Sequence, residues 1–227
     1  MSVHSEPGDR RPPISTPAQT AKQERILDAA VQVFAEKGFY NARVSDVARE
    51  AGVADGTIYL YFRSKDDLLI QLFESRMSAI IERLRVRLAD APSAAMKLRL
   101  FIELQLALVV EEPTLAEVLT VELRQSGKFM REYKAAKFGE YLDLIEEIII
   151  AGQRDGEFVS GVDPRLVKRA LFGALDEVSL YWLQGRAGGR EPYALPAAAE
   201  QIWNVCARGI LRTAGAPAVL EPSKEEP

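Results

Sequence analysis

The run Gly56-Thr-Ile-Tyr-Leu-Tyr-Phe-Arg-Ser-Lys65 concentrates the side chains best suited to chemistry. Thr57, Tyr59 and Tyr61 carry hydroxyls and Lys65 an ammonium, groups that suit phosphate oxygens, while Gly56 permits a close approach. The apolar Val53, Ile58 and Phe62 take the inward side. Bond-breaking chemistry finds little support. His4, the only histidine, lies in a proline-rich end, and Cys206 stands alone. A His-dependent triad, a histidine or multi-cysteine metal site and an intrachain disulfide framework are therefore not expected. Recognition of an anionic backbone is the chemistry on offer.

The elements that would position this run can be read from the residues before it. Val44, Val47, Ala48 and Ala51 recur at helical spacing, and Gly52 can turn a helix end because it reaches positive φ without a Cβ clash. Short helices near 44–51 and 55–61 joined by that glycine make a helix-turn-helix, whose second helix enters a major groove. A DNA-binding surface is implied. Its charge is sparse: residues 1–65 hold nine Lys/Arg against eight Asp/Glu, and residues 66–227 hold 20 against 25. Attraction must then come from local placement of Arg43, Arg49, Arg63 and Lys65, and two copies acting together are favoured.

Around this unit the chain reads as all-α, with about nine helices. A helix near 19–37 buries Ile26, Leu27, Ala30, Val33 and Phe34 and stops at Gly38. Ser64 and Asp67 form a capping-box-like start for a long helix near 65–89. Further helices are expected near 94–111, 114–124 and 128–154. Asp163-Pro164 opens one that reaches about Gln184, and 194–213 closes the fold. Residues 1–17 and 214–227 read as disordered tails, 18–65 as the DNA-binding head and 66–213 as a body for ligand binding and dimerisation. No signal segment or membrane span is expected, so the chain reads as cytoplasmic.

Five segments in order resemble the TetR family of bacterial transcriptional regulators: Arg25-Ile-Leu-Asp-Ala-Ala, Phe34-Ala-Glu-Lys-Gly-Phe, Val47-Ala-Arg-Glu-Ala-Gly-Val, Gly56-Thr-Ile-Tyr-Leu-Tyr-Phe and Ser64-Lys-Asp-Asp-Leu. The resemblance implies a three-helix head, a helical ligand-binding body and a homodimer on a palindromic operator. Carried over by position, DNA contacts fall on Arg43, Val44, Ser45, Ala54, Asp55, Gly56, Thr57, Tyr59, Tyr61 and Lys65. Asp55 departs from the expected pattern. Its carboxylate either accepts from a cytosine amino group or caps the helix, and capping is favoured.

The body resembles the fatty-acid-degradation repressors of the same family. The matching segments are Glu122-Leu-Arg-Gln-Ser126, Gly152-Gln-Arg-Asp-Gly-Glu157, Asp163-Pro-Arg-Leu-Val and Phe172-Gly-Ala-Leu-Asp-Glu177. This resemblance implies no cofactor but an effector, long-chain acyl-CoA, that releases the repressor from DNA. An apolar tunnel would draw on Leu104, Leu108, Leu119, Leu123, Phe138, Tyr141, Leu142, Ile145, Phe172 and Leu175, although a helical bundle needs apolar faces in any case. Arg124, with Gln125, Lys128 and Arg131, offers planar or point charges for the ligand's phosphates. Asp176 lies beside apolar Phe172 and Leu175, where an ionised acid needs a partner, and an interhelical ion pair is expected. Helices 163–184 and 194–213 are expected to form the dimer seam, anchored by Trp182, Trp203 and Ile210.

The leading expectation is a non-enzymatic repressor of fatty-acid-degradation genes. A regulator of the same fold answering to another hydrophobic or cationic ligand is the alternative. An enzyme using Asp176, Glu177 or Glu122 on a bound thioester belongs to another class, and no nucleophile–base pair or phosphate-cradling glycine loop supports it.

Overall fold

A computed structural model describes residues 17–122, 136–189 and 193–212. Among them are nine α-helices: α1 (Pro17–Lys37), α2 (Val44–Glu50), α3 (Asp55–Ile58), α4 (Lys65–Ala89), α5 (Ala94–Glu111), α6 (Pro113–Glu117), α7 (Ala136–Arg154), α8 (Pro164–Ala187) and α9 (Leu195–Ile210). A π-helical turn, Val118–Glu122, continues α6. The only extended pairing among these residues is a single bridge between Phe158 and Leu211. No helix of the described residues is long and apolar enough to cross a membrane.

The first three helices form the head. Ile26, Leu27, Ala30 and Phe34 of α1 meet Val47 and Ala48 of α2, Ile58 and Phe62, all buried in one core. The helix ends follow from local chemistry. Gly38 closes α1 at φ +73, its N–H donating to the Phe34 carbonyl at 3.0 Å. Gly52 turns α2 toward α3 at φ +63, and the Val53 N–H returns to the Ala48 carbonyl at 2.9 Å. Ser64 caps α4 by accepting from the Asp67 N–H at 3.1 Å, while Asp67 accepts from the Arg63 N–H at 2.7 Å. This is the capping start expected from the sequence.

In the body, α4, α5, α8 and α9 pack about a core that includes α7. The Gly152–Glu157 segment does structural work here. A methyl on Gly152 would stand 2.2 Å from the Phe158 ring, so only glycine lets that ring against α7. Glu157 accepts from the Ala94 and Ala95 N–H groups, each at 3.0 Å, and thereby satisfies the start of α5.

Several boundaries differ from expectation. Pro17, assigned to the tail, is the first residue of α1, a position where a missing N–H costs nothing. The last helix stops at Ile210 because Leu211 is extended and Arg212 donates to the Glu157 carbonyl at 2.9 Å. The helix expected over 114–124 becomes α6 plus the π turn within the described residues. The expected tails 1–16 and 214–227, and residues 123–135, lie outside them. The expected boundary at residues 65 and 66 falls in the first turn of α4, which runs unbroken from head to body.

Candidate nucleic-acid interface and ligand cavity

The reading segment is presented as the sequence suggests, with three differences. Ala54, Asp55, Gly56 and Tyr59 are exposed, Thr57 and Tyr61 half-buried, and Ile58 and Phe62 buried. Arg43 and Ser45 are exposed at the start of α2, and Val44 is half-buried. The first difference is Asp55: Ala54 occupies the N-cap without any side-chain capping bond, so the favoured capping role is not made. The carboxylate still favours the helix start through the macrodipole. The second is Leu60, 81% exposed beside Tyr59, an apolar side chain that the sequence reading left unassigned.

Lys65 is the third and largest difference. Its ammonium donates to the carbonyls of Phe39 at 2.6 Å, Tyr40 at 3.1 Å and Ala42 at 3.0 Å, and sits 4.5 Å from the Phe39 ring centroid. Burial lowers its pKa, and the three acceptors compensate that desolvation. All three donors are thus engaged within the head, away from the phosphate contact expected of them. The residue ties the start of α4 to the loop after α1.

Asp46 performs a similar task for α2. It accepts from the Arg43 N–H at 3.0 Å and pairs with Lys37 at 2.9 Å and with Arg49. The Lys37 hydrogen bond, then the Arg43 N–H, lowers its pKa. The first helix of the helix-turn-helix, against which α3 packs, is consequently fastened to the end of α1.

Side-chain bonds add to the continuous α4 in linking head and body. Arg76 of α4 reaches back to Glu24 at 3.1 Å and Asp28 at 2.7 Å on α1. Glu122, only 6% exposed at the end of the π turn, accepts through Oε2 from the Phe39 N–H at 2.5 Å. Phe39 is also the residue whose carbonyl and ring hold Lys65. One turn of backbone therefore receives a contact from the body and anchors the head.

The body contains a cavity of about 90 Å³ lined by Phe73, Met77, Ile80, Gln105, Leu108, Val109, Ala116, Leu119, Thr120, Phe138, Tyr141, Phe172 and Asp176. Of the residues expected in a tunnel, Leu108, Leu119, Phe138, Tyr141, Phe172 and Asp176 meet here. Leu104 borders an adjoining gap with Gln105 and Leu108. Leu142, Ile145 and Leu175 are buried core and line neither space. Leu123, Arg124, Gln125, Lys128 and Arg131 fall outside the described residues. The α4 contributions Phe73, Met77 and Ile80 read in sequence as an ordinary core stripe. Gln105 could have been noticed, since it interrupts the apolar face of Leu98, Phe101, Ile102 and Val109 on α5.

The polar lining of this cavity is incomplete. The Tyr141 hydroxyl and the Gln105 Oε1 are buried without a hydrogen-bond partner among the described residues. Such orphans cost about 1–3 kcal/mol each. Burial first, and the Asp176 charge second, raise the Tyr141 pKa, keeping the hydroxyl protonated. Ile80 and Leu108 also line a larger groove of about 490 Å³, bounded by α1, α4 and the α5–α6 junction. Arg83 crosses its rim, pairing with Glu111 and, at 3.4 Å, with Glu112. The cavity alone is smaller than the ~300–1,000 Å³ typical of small-molecule sites. Ile80 and Leu108 are common to the linings of the cavity and the groove.

The expected dimer anchors need revision. Trp182 and Ile210 are buried within the protomer, and Trp203 is half-buried. The outward apolar residues of α8 and α9 are instead Leu166, Tyr181 and Val205. Gly173 has open space where a Cβ would stand.

An exposed reading segment on a three-helix head, continuous with a helical body that encloses an apolar cavity, defines a helix-turn-helix transcriptional regulator. The chain belongs to the TetR family of bacterial regulatory proteins. The family's N-terminal region matches residues 26–72, and the C-terminal region of YsiA-like proteins matches residues 73–209. A fatty acid metabolism regulator protein of Bacillus subtilis is 37% identical over 189 residues, covering 83% of this chain and 95% of the relative. The crystal structure of the regulator FadR from Bacillus subtilis in complex with stearoyl-CoA superposes with a TM-score of 0.76 at 36% identity. That match covers 82% of this chain and 98% of the other. The fatty acid degradation regulator FadR from Bacillus halodurans matches with a TM-score of 0.75 at 36% identity, covering 83% and 99%. The family and these relatives are regulators of transcription.

Proposed function

We propose that this chain is a cytoplasmic, homodimeric repressor of fatty-acid-degradation genes that long-chain acyl-CoA releases from a palindromic operator. The observation that carries the reading is the match, over most of both chains, to a regulator crystallised with stearoyl-CoA. The apolar cavity supports it, since Phe73, Leu108, Phe138 and Phe172 offer an acyl chain an alkane-like lining. A long chain needs more room than about 90 Å³, so binding must part Ile80 from Leu108 or otherwise enlarge the cavity. That requirement makes ligand affinity differ between two arrangements of the body, which is the condition for switching.

DNA contacts are assigned to Arg43, Ser45, Asp55, Gly56, Thr57 and Tyr59, with Val44, Ala54 and Tyr61 shaping the surface. Lys65 positions that surface from behind. The ligand's phosphates are assigned to Arg124, Lys128 and Arg131 on sequence grounds. Dimerisation uses the outer faces of α8 and α9 around Leu166, Gly173, Tyr181 and Val205. Two heads must span successive major grooves, so a small change in their spacing is enough to weaken binding.

The test is fluorescence anisotropy of the purified chain on DNA from its own promoter region, titrated with palmitoyl-CoA and separately with free coenzyme A. Tight, salt-sensitive binding reversed by the acylated compound alone is expected. Tight binding indifferent to both compounds would remove the acyl-CoA response and leave the DNA-binding function.

A further inference from the structure

Tyr141 is held as a phenol in a place where a phenylalanine would pack equally well. Its ring lies 5.5 Å from Phe101, 6.2 Å from Phe172 and 6.5 Å from Phe138 between centroids, and the residue is 3% exposed. Those three rings fix its orientation. The hydroxyl nevertheless has no partner among the described residues, and neither does the Gln105 Oε1, which belongs to the facing wall of the same cavity on α5. Burying two polar atoms without partners is unfavourable, so their retention in an apolar cavity points to a third participant that supplies the missing bonds.

The chemistry of that participant is restricted. The phenol can donate as well as accept, whereas the Gln105 Oε1 accepts only and so requires a donor on the participant. An ionised carboxylate accepts only, so it could take the phenol's hydrogen bond but would leave the Gln105 Oε1 unsatisfied. A free fatty acid therefore fits poorly at its polar end. A neutral carbonyl followed a few bonds later by an amide N–H fits both atoms. Acyl thioesters of coenzyme A carry that pair at the junction of the acyl chain and the pantetheine arm.

Building on the acyl-CoA reading, we propose that Tyr141 and Gln105 recognise this junction. Tyr141 donates to the thioester carbonyl and Gln105 accepts from the adjacent amide N–H. The apolar walls hold the chain, while these two residues distinguish the thioester from the free acid and from a simple hydrocarbon tail.

The experiment compares three probes on the full chain: palmitoyl-CoA, its S-hexadecyl thioether, in which a methylene replaces the carbonyl, and palmitate. Wild type should prefer the thioester to the thioether by about tenfold, the value of one buried hydrogen bond, and should bind palmitate most weakly. Tyr141→Phe should abolish that preference while binding the thioether as wild type does. Its thermal midpoint without ligand should stay level or rise, because an orphan hydroxyl has gone. Gln105→Leu should weaken thioester and thioether alike, since both retain the amide. A Tyr141→Phe protein that keeps the wild-type preference, or palmitate bound as tightly as palmitoyl-CoA, overturns the assignment. Failure of wild type to bind either coenzyme A derivative would instead overturn the acyl-CoA reading, and this inference with it.

Discussion

The head and the wall of the body's cavity handle their inward polar side chains in opposite ways. In the head, Lys65 closes on three carbonyls and Asp46 on a backbone N–H and two cations. Around the body's cavity, the Tyr141 hydroxyl and the Gln105 Oε1 are left without hydrogen-bond partners among the described residues. A surface that must meet fixed groove geometry gains from internal bonds that already hold its backbone. A cavity that must admit a guest gains from bonds left unmade until the guest arrives. The contrast separates residues that position from residues that bind, and the two kinds can look alike in a sequence.

Lys65 gives the sharpest way to break the comparison and the largest expected effect. Lys65→Met removes the ammonium but keeps most of the stem, leaving the carbonyls of Phe39, Tyr40 and Ala42 without their shared donor. A loss of about 3 kcal/mol from the head follows, with operator affinity reduced by about 100-fold. A positioning role predicts that the slope of log affinity against log salt is unchanged. A phosphate contact predicts that the slope shrinks by about one unit. Anisotropy titrations at several salt concentrations, beside thermal melts, separate the two roles. A shallower slope with an unchanged melt would restore Lys65 to the DNA surface.

Lys65 also marks the limit of what was legible in the sequence. The helices were readable because apolar spacing, Gly38, Gly52, Ser64 and the Asp163-Pro164 pair are local signals. Their physical causes lie within a turn or two of the residue concerned. The reading segment was readable for the same reason. The partners of Lys65 lie 23 to 26 residues away, and a cation near a helix start looks free until the preceding loop folds over it. The cavity was only half legible. An apolar stripe that lines a void has the same spacing as one that fills a core, so Ile145 and Leu175 were as plausible as Leu108 and Phe172. Trp182 failed as a dimer anchor on the same ground, because size and hydrophobicity say that a side chain is buried but not against which chain.

Glu122 sharpens the comparison because it belongs to the body yet finishes a bond in the head. Leu119 and Thr120 of the same π turn line the cavity, and Glu122 at its end holds the Phe39 N–H. Enlarging the cavity should move this turn and, through Phe39, the loop that Lys65 clasps. Glu122→Leu should lower the ratio between ligand-free and ligand-bound operator affinity by about tenfold, within the usual range of coupling energies. It should also cost about 1–3 kcal/mol for the orphaned N–H. Operator titrations with and without palmitoyl-CoA measure the ratio. An unchanged ratio would exclude this bond and leave the continuous α4 and the packing of α6 against α1 to couple head and body.

The smallest expected effect is on the response to acid, and it sets one carboxylate of each region against the other. Asp46 in the head has its pKa lowered by the Lys37 hydrogen bond and then by the Arg43 N–H. In the body, the Ala95 N–H foremost, with help from Ala94 and Ser93, lowers that of Glu157. A carboxylate with a lowered folded-state pKa stabilises the fold fully above its unfolded value, about 4 for Asp and Glu, and loses that contribution as pH falls through the folded value. The thermal midpoint should therefore be level from neutrality down to about pH 5 and decline below about pH 4. Asp46→Asn and Glu157→Gln should each start lower at neutral pH and decline less steeply in acid. Because Asp46 fastens α2, on which the reading helix α3 packs, only Asp46→Asn should also weaken operator binding at neutral pH. Equal losses of operator affinity in both variants would mean that the start of α5 is as much a part of the head's support as α2 is.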